Sequence, residues 1–81
     1  MQVTVKFFAF FRQITGVDHL SVVLAEGATI AELLNLLSRK FDNLSFESER
    51  PVIMVNHTNA LPQTILKEGD NVLLLPVLEG G

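Results

Sequence analysis

The 81-residue sequence contains no cysteine, no tryptophan and no tyrosine. The lack of cysteine excludes disulfides, thiolate metal sites and cysteine nucleophiles. The two histidines, His19 and His57, stand alone without the spacing of metal ligands, so surface or turn positions are expected for both. No metal site is therefore predicted.

Charge is also scarce, because only 19% of the residues are charged and the formal net charge is −3 at pH 7. A nucleic-acid binder needs clustered lysine and arginine to contact phosphates, so no nucleic-acid partner is expected. No apolar run approaches the ~20 residues that span a bilayer, and Met1 leads into polar–apolar alternation instead of a secretory signal. We therefore expect a cytoplasmic protein that has no membrane partner.

The sequence is nevertheless rich in apolar residues, which make up 48% of the chain. This content is well above that of disordered chains, and the length corresponds to one domain near the lower limit for a self-sufficient core. We expect a single domain over residues 1–81, in which 78–81 form a flexible C-terminal tail.

Two strands are predicted in the first part of the chain. Polar and apolar residues alternate over 2–8 and again over 18–24, which is typical of strands that have one buried face. Residues 9–15 break the alternation and end at Gly16, so a short helical turn is expected between the two strands.

A helix is predicted over 30–41. Thr29 and Glu32 have the spacing of a capping box, in which the threonine hydroxyl accepts from the Glu32 N–H and the glutamate reaches back to the Thr29 N–H. Apolar side chains then recur at helical spacing on one face, at Ile30, Leu33, Leu34, Leu37 and Phe41.

The remaining elements are expected to be mainly strands. Residues 52–55 predict a third strand, and residues 72–78 predict a terminal strand. Between them, residues 56–66 are expected to be irregular, with room for one more short strand, and residues 67–70 are expected to form a turn. Strands interspersed with one main helix belong to the α+β class.

An apolar patch is predicted on the face of the sheet that the helix does not cover. The final strand is apolar at every position, although one helix can cover only one face of so small a sheet. If Val72 and Leu74 point inward, then Leu73 and Leu75 face away from the helix, as Phe8 does at the end of the first strand. We expect Phe8, Leu73 and Leu75 to contact a partner; the alternative is that a loop covers them as a minor core.

The sequence ends in Gly80-Gly81. Glycine lacks Cβ and tolerates most backbone angles, so two such residues can pass through a narrow channel in another protein. With glycine near 7% of residues, this ending arises by chance in roughly 0.5% of chains. We interpret the Gly81 carboxylate as the reactive group, the alternative being a frayed terminus.

Several short motifs together resemble one family: Phe7-Phe8-Ala9 with Arg12 and Gly16, Val55-Asn56, Leu66-Lys67-Glu68-Gly69-Asp70, and Pro76 with Gly80-Gly81. In this order and spacing they resemble the small subunit of molybdopterin synthase, the ubiquitin-like sulfur carrier of molybdenum cofactor biosynthesis. The resemblance covers the whole chain. It implies a β-grasp fold, in which a mixed sheet packs on one main helix.

The resemblance also implies a defined chemistry at Gly81. An E1-like adenylating enzyme uses ATP to convert the carboxylate into a mixed anhydride with AMP, and sulfur from a persulfide donor then displaces AMP. The thiocarboxylate donates its sulfur to a pterin precursor in the large synthase subunit, in an assembly expected to be a heterotetramer. The family implies that the carrier binds no cofactor, is not itself an enzyme, and leaves catalysis to the large subunit.

The last residues differ from the usual family ending. Val77 replaces a second proline, and Glu79 replaces a small residue before Gly80. A carboxylate near ATP phosphates or an anionic pterin is mildly unfavourable unless the partner offers a cation. Pro76 is expected to contact a partner, and Arg12 either contacts a partner or forms an ion pair within the domain.

The sulfur acceptor therefore stays open. Related carriers that have the same tail serve thiamine, cysteine or tungsten-pterin synthesis, and these are alternatives to the molybdenum pathway. A β-grasp adaptor that binds through the apolar patch and has an inert tail is the alternative from another functional class.

Overall fold

The computed structural model describes residues 1–46 and 50–77. Along these residues the elements are β1 (Gln2–Phe7), α1 (Phe10–Thr15), β2 (His19–Val23), α2 (Ile30–Lys40), β3 (Val52–Val55), β4 (Thr58–Asn59) and β5 (Asn71–Leu75). The predicted elements are therefore present in the predicted order. The short strand β4 lies within 56–66, the segment that was expected to have room for one more strand. Neither helix in the described part of the chain is long and apolar enough to cross a membrane.

The strands form one mixed sheet in the order β2-β1-β5-β3-β4. The central strands β1 and β5 are parallel, whereas β1 with β2, β5 with β3, and β3 with β4 are antiparallel. A parallel pair cannot be joined by a tight hairpin and needs a long connection. Here that connection contains α2, so the helix lies between the first two strands and the last three along the chain.

The main core lies between α2 and one face of the sheet. The inward-facing side chains of the central strands occupy alternate positions and are at most 2% exposed: Val3, Val5, Phe7, Val72 and Leu74. From the helix, Ile30, Leu33 and Leu37 join the same core cluster. Burying each such side chain contributes roughly 1.5–3 kcal/mol of hydrophobic stabilisation. The predicted assignment of inward-facing residues is confirmed.

Helix α1 brings a second group of aromatic side chains to the core. Phe11 is fully buried, while Phe10 and Ile14 are half-buried against the same cluster. The Phe11 ring centroid lies 4.2 Å from that of Phe10 and 6.1 Å from that of Phe46. The predicted short helical turn is thus present as α1, and Phe11 anchors it in the core.

The capping box at the start of α2 is only half formed. The Thr29 hydroxyl accepts from the Glu32 backbone N–H at 3.3 Å, as predicted. The Glu32 carboxylate accepts from that hydroxyl at 3.4 Å instead of from the Thr29 backbone N–H. At the other end, Phe41 leaves the helix as its C-cap and packs edge-on against Phe7, with ring centroids 6.0 Å apart.

The terminal strand is shorter than the predicted 72–78. Strand β5 ends at Leu75 because the next residue, Pro76, has no backbone N–H to continue the ladder. Val77 is exposed outside the strand, and the remaining part of the predicted strand lies outside the described residues. Before β5, Gly69 has the positive φ (80°) that was expected of the turn at 67–70.

The buried Asp70 links the turn after β3 to the turn before β5. Its Oδ1 accepts from Asn56 Nδ2 at 2.8 Å, and its Oδ2 accepts from the Lys67 backbone N–H at 2.8 Å. The Asn56 Oδ1 in turn accepts from the Asn71 backbone N–H at 2.9 Å. Through these contacts Asn56 fixes the start of β5.

We predict that Asp70→Ala lowers the free energy of unfolding by about 1.5–3 kcal/mol, because hydrogen bonds to a charged group are lost and a backbone N–H loses its partner. Asp42→Ala, which removes an exposed carboxylate, is the matched control and should change stability little. Urea denaturation of both variants measures the difference. Equal stabilities for the two variants would show that the Asp70 contacts contribute nothing.

Candidate functional site

The face of the sheet opposite α2 carries a row of apolar side chains. Residues directly opposite each other in neighbouring strands point to the same face. Leu73 of β5 lies opposite Met54 of β3, and Leu75 lies opposite Val52. All four are on the parity opposite to the buried Val72 and Leu74, so the strand register places them together on the uncovered face.

Phe8 extends this row across the parallel strand pair. Its backbone N–H donates to the Leu74 carbonyl at 3.2 Å, which continues the β1–β5 ladder by one residue. The register pairs Phe7 with Leu74, so Phe8 is level with Leu75. We call Phe8, Val52, Met54, Leu73 and Leu75 the outer-face patch.

The outer-face patch is open to solvent in the described part of the chain. Phe8 and Val52 are each 40% exposed, and Met54, Leu73 and Leu75 are partly exposed. Phe11 does not fold over the patch, because its ring is buried in the main core. Phe11 therefore does not provide a minor core over these residues, and the strand register places Leu73, Leu75 and Phe8 on one face, the arrangement that the prediction assumed. Whether the patch binds a partner stays a prediction.

Val52 and Met54 were not predicted to belong to this face. The signal was available, since 52–55 is apolar on both parities just as the final strand is. The chain offered no polar residue in this strand to show which parity faces outward. The pairing of β3 with β5 resolves the ambiguity and enlarges the patch to three adjacent strands.

Arg12 forms the ion pair that was one of its two predicted roles. Its Nη1 lies 3.4 Å from Asp18 Oδ1, and both side chains are largely exposed. Such a surface pair contributes about 0–1 kcal/mol, so it does not prevent Arg12 from meeting a partner. Arg12 also lines a shallow depression of about 320 Å³ beside the patch, together with Lys6, Phe7, Phe8, Asp18 and His19.

The final strand brings the chain to the patch just before its end. Leu75 belongs to the patch, and the half-buried Pro76 follows it directly. The predicted reactive and tail residues, Gly81, Gly80 and Glu79, lie outside the described residues. Their roles and the partner contact of Pro76 stay predictions.

The described residues contain no group of three histidine, cysteine, aspartate or glutamate side chains that could hold a metal ion. His19 lies on the edge strand β2, and His57 lies in the hairpin turn between β3 and β4. Both histidines are exposed, as expected.

Comparisons with known proteins agree along the whole chain. The ThiS family profile matches residues 5–81. The molybdopterin synthase sulfur carrier subunit of Chlamydomonas reinhardtii is 32% identical over 83 residues, which cover 100% of this chain and 100% of the relative. Sequence similarity therefore extends over residues 78–81 as well as over the residues that the structure describes.

Solved structures of similar proteins also match this chain along nearly its whole length. The putative molybdopterin converting factor subunit 1 of Pyrococcus furiosus superposes with a TM-score of 0.85 at 31% identity, covering 95% of this chain and 98% of that chain. A complex of subunits 1 and 2 of the molybdopterin-converting factor from Helicobacter pylori contains a chain that is 25% identical, with a TM-score of 0.67 and 100% coverage of both chains. Together with the mixed sheet and its helix, these similarities confirm the predicted β-grasp fold.

We predict that Phe7→Ala and Phe8→Ala differ sharply in stability, although the residues are adjacent. Phe7 is 2% exposed, and its truncation leaves a core cavity that costs about 3–5 kcal/mol. Phe8 is 40% exposed, so Phe8→Ala should cost much less. Urea denaturation of the two variants measures this difference, and equal losses would place Phe8 in the core.

Proposed function

Because this chain belongs to the ThiS family, we propose that it is the ubiquitin-like sulfur carrier subunit of a molybdopterin synthase. The carrier class is supported by the full-length similarity to the Chlamydomonas relative that bears this name. In this role the chain is a sulfur-donating subunit and not itself a catalyst. Its partner is the large synthase subunit, since the Helicobacter relative is found in a complex of subunits 1 and 2.

The observation that carries the docking part of the proposal is the outer-face patch. A small domain that leaves five large apolar side chains together on one sheet face presents a surface suited to another protein. This surface is continuous with Leu75, the last residue of β5, so a partner that covers it also meets the start of the final segment. Docking on the patch therefore also brings the start of the final segment next to the partner, because that segment follows directly on the strand that carries Leu75.

The chemistry that we propose takes place at the Gly81 carboxylate. One carboxylate oxygen attacks the α-phosphate of ATP on an E1-like enzyme, pyrophosphate leaves, and an acyl adenylate forms. A persulfide sulfur then attacks the carbonyl carbon, AMP leaves, and reductive cleavage of the sulfur–sulfur bond by a thiol leaves a thiocarboxylate. The large subunit directs that sulfur onto a pterin precursor. The carrier contributes no cofactor, and ATP is consumed on the activating enzyme.

We predict that deleting Gly81, or adding one residue after it, abolishes adenylation. ATP–pyrophosphate exchange with the activating enzyme measures this step, and mass spectrometry of the loaded chain detects the oxygen-to-sulfur exchange. Thermal stability should not change, because Leu74 is the last buried core residue along the part of the chain that the structure describes. A truncated chain that still supports exchange would refute the carrier function. A native protein that never acquires the sulfur mass would favour the adaptor alternative.

We predict that Leu75→Ala weakens binding to the large subunit about tenfold or more, because burial of a large apolar side chain is worth ~1.5–3 kcal/mol and 1.4 kcal/mol is about one decade. Leu61→Ala is the matched control, since Leu61 is 60% exposed but lies outside the outer-face patch. Titration calorimetry gives both affinities, and thermal melts check that each variant is folded. Equal affinities for the two variants would remove the patch from the interface.

A further inference from the structure

The outer face of the sheet is almost free of charge, although the chain is not. The sequence has nine acidic and six basic residues, yet Lys6 is the only lysine, arginine, aspartate or glutamate in the five described strands. None of the acidic residues therefore lies in these strands. Lys6 is the single charged residue that the described strands contribute to the outer face.

Lys6 borders the outer-face patch directly. It lies opposite Leu73 on β5 and opposite His19 on β2, and its side chain is exposed. Among the described residues, no carboxylate lies within 4 Å of the Lys6 ammonium. A partner that covers Leu73 must therefore also cover or border this unpaired ammonium.

The surroundings of Lys6 form a concave site with an excess of positive charge. The depression of about 320 Å³ beside the patch is lined by Lys6, Arg12 and His19, and by one carboxylate, Asp18. That carboxylate is engaged with Arg12 at 3.4 Å. After this pair is counted, Lys6 is the remaining charge in the depression, and it has no carboxylate within 4 Å among residues 1–46 and 50–77.

We propose that the protein that docks on the outer-face patch carries an aspartate or glutamate that enters this depression and pairs with Lys6. The inference rests on the proposed function, because it assumes that the patch is the docking surface. Covering an ammonium with apolar groups alone leaves it desolvated and unpaired, which is strongly unfavourable. A partner that lacks the carboxylate is disfavoured for that reason, so Lys6 selects among partners that share apolar complementarity.

The test compares Lys6→Glu with Lys67→Glu, which makes the same charge change in the turn before β5, at the end of the strand remote from Leu75. Binding to the large synthase subunit is measured by titration calorimetry at low ionic strength and at about 0.5 M salt. Lys6→Glu should weaken binding about tenfold or more at low salt, because two like charges then face each other. Added salt should reduce the difference in affinity between Lys6→Glu and the unmodified chain, because salt screens charges at the edge of the interface. Lys67→Glu should stay within about twofold of the unmodified chain.

A second variant, Lys6→Met, keeps most of the aliphatic stem and removes only the charge. It should weaken binding less than Lys6→Glu does, and thermal melts of all variants should agree. Unmodified affinity in Lys6→Glu, or equal losses in Lys6→Glu and Lys67→Glu, would overturn the pairing while leaving the docking surface intact. Failure of the unmodified chain to bind the large subunit would instead overturn the proposed function, and the pairing with it.

Discussion

One eleven-residue helix can cover only one face of a five-stranded sheet, and the rest of this structure depends on that limit. The covered face takes the alternate residues Val3, Val5 and Phe7, which are almost fully buried. The other face must then be compatible with water or with another protein. In β1 it is largely polar, whereas in β3 and in β5 after Asn71 it is apolar, so the same alternation that builds the core also creates the outer-face patch.

The parallel pairing of β1 with β5 gives this patch its position. It places Phe8, near the start of the chain, level with Leu75, the last residue of the last strand. The Asp70–Asn56 contacts hold the opposite end of β5 against the turn after β3. With its start fixed by hydrogen bonds and its middle buried, β5 holds Leu73 and Leu75 in place directly before the final segment. Pre-organisation of this kind reduces the ordering cost of association.

Local patterns predicted most of the elements, because apolar residues recur with the period of a strand or of a helix in each of them. The alternation in 2–8 identified the inward face of β1, and the helical spacing around Leu33 and Leu37 identified α2. The outward face of β3 was not predictable, since an apolar residue occupies every position of Val52–Val55 and only pairing with β5 decides between the parities. The Asp70 contacts were missed for a related reason: their donors are scattered along the chain, and no local pattern brings Asn56 to Asp70.

Apolar area and charge have different consequences on such a surface. The outer-face patch is built of leucine, valine, methionine and phenylalanine, which contribute affinity without strong directional preference. Any protein that has a matching apolar groove could bind it, so apolar area alone does not select one partner among several. A single ammonium at the border adds direction, because its Coulomb energy depends on where the opposing charge lies. Because the described strands contain no other charged residue and the nearby Arg12 and Asp18 pair with each other, Lys6 can set the orientation of a partner.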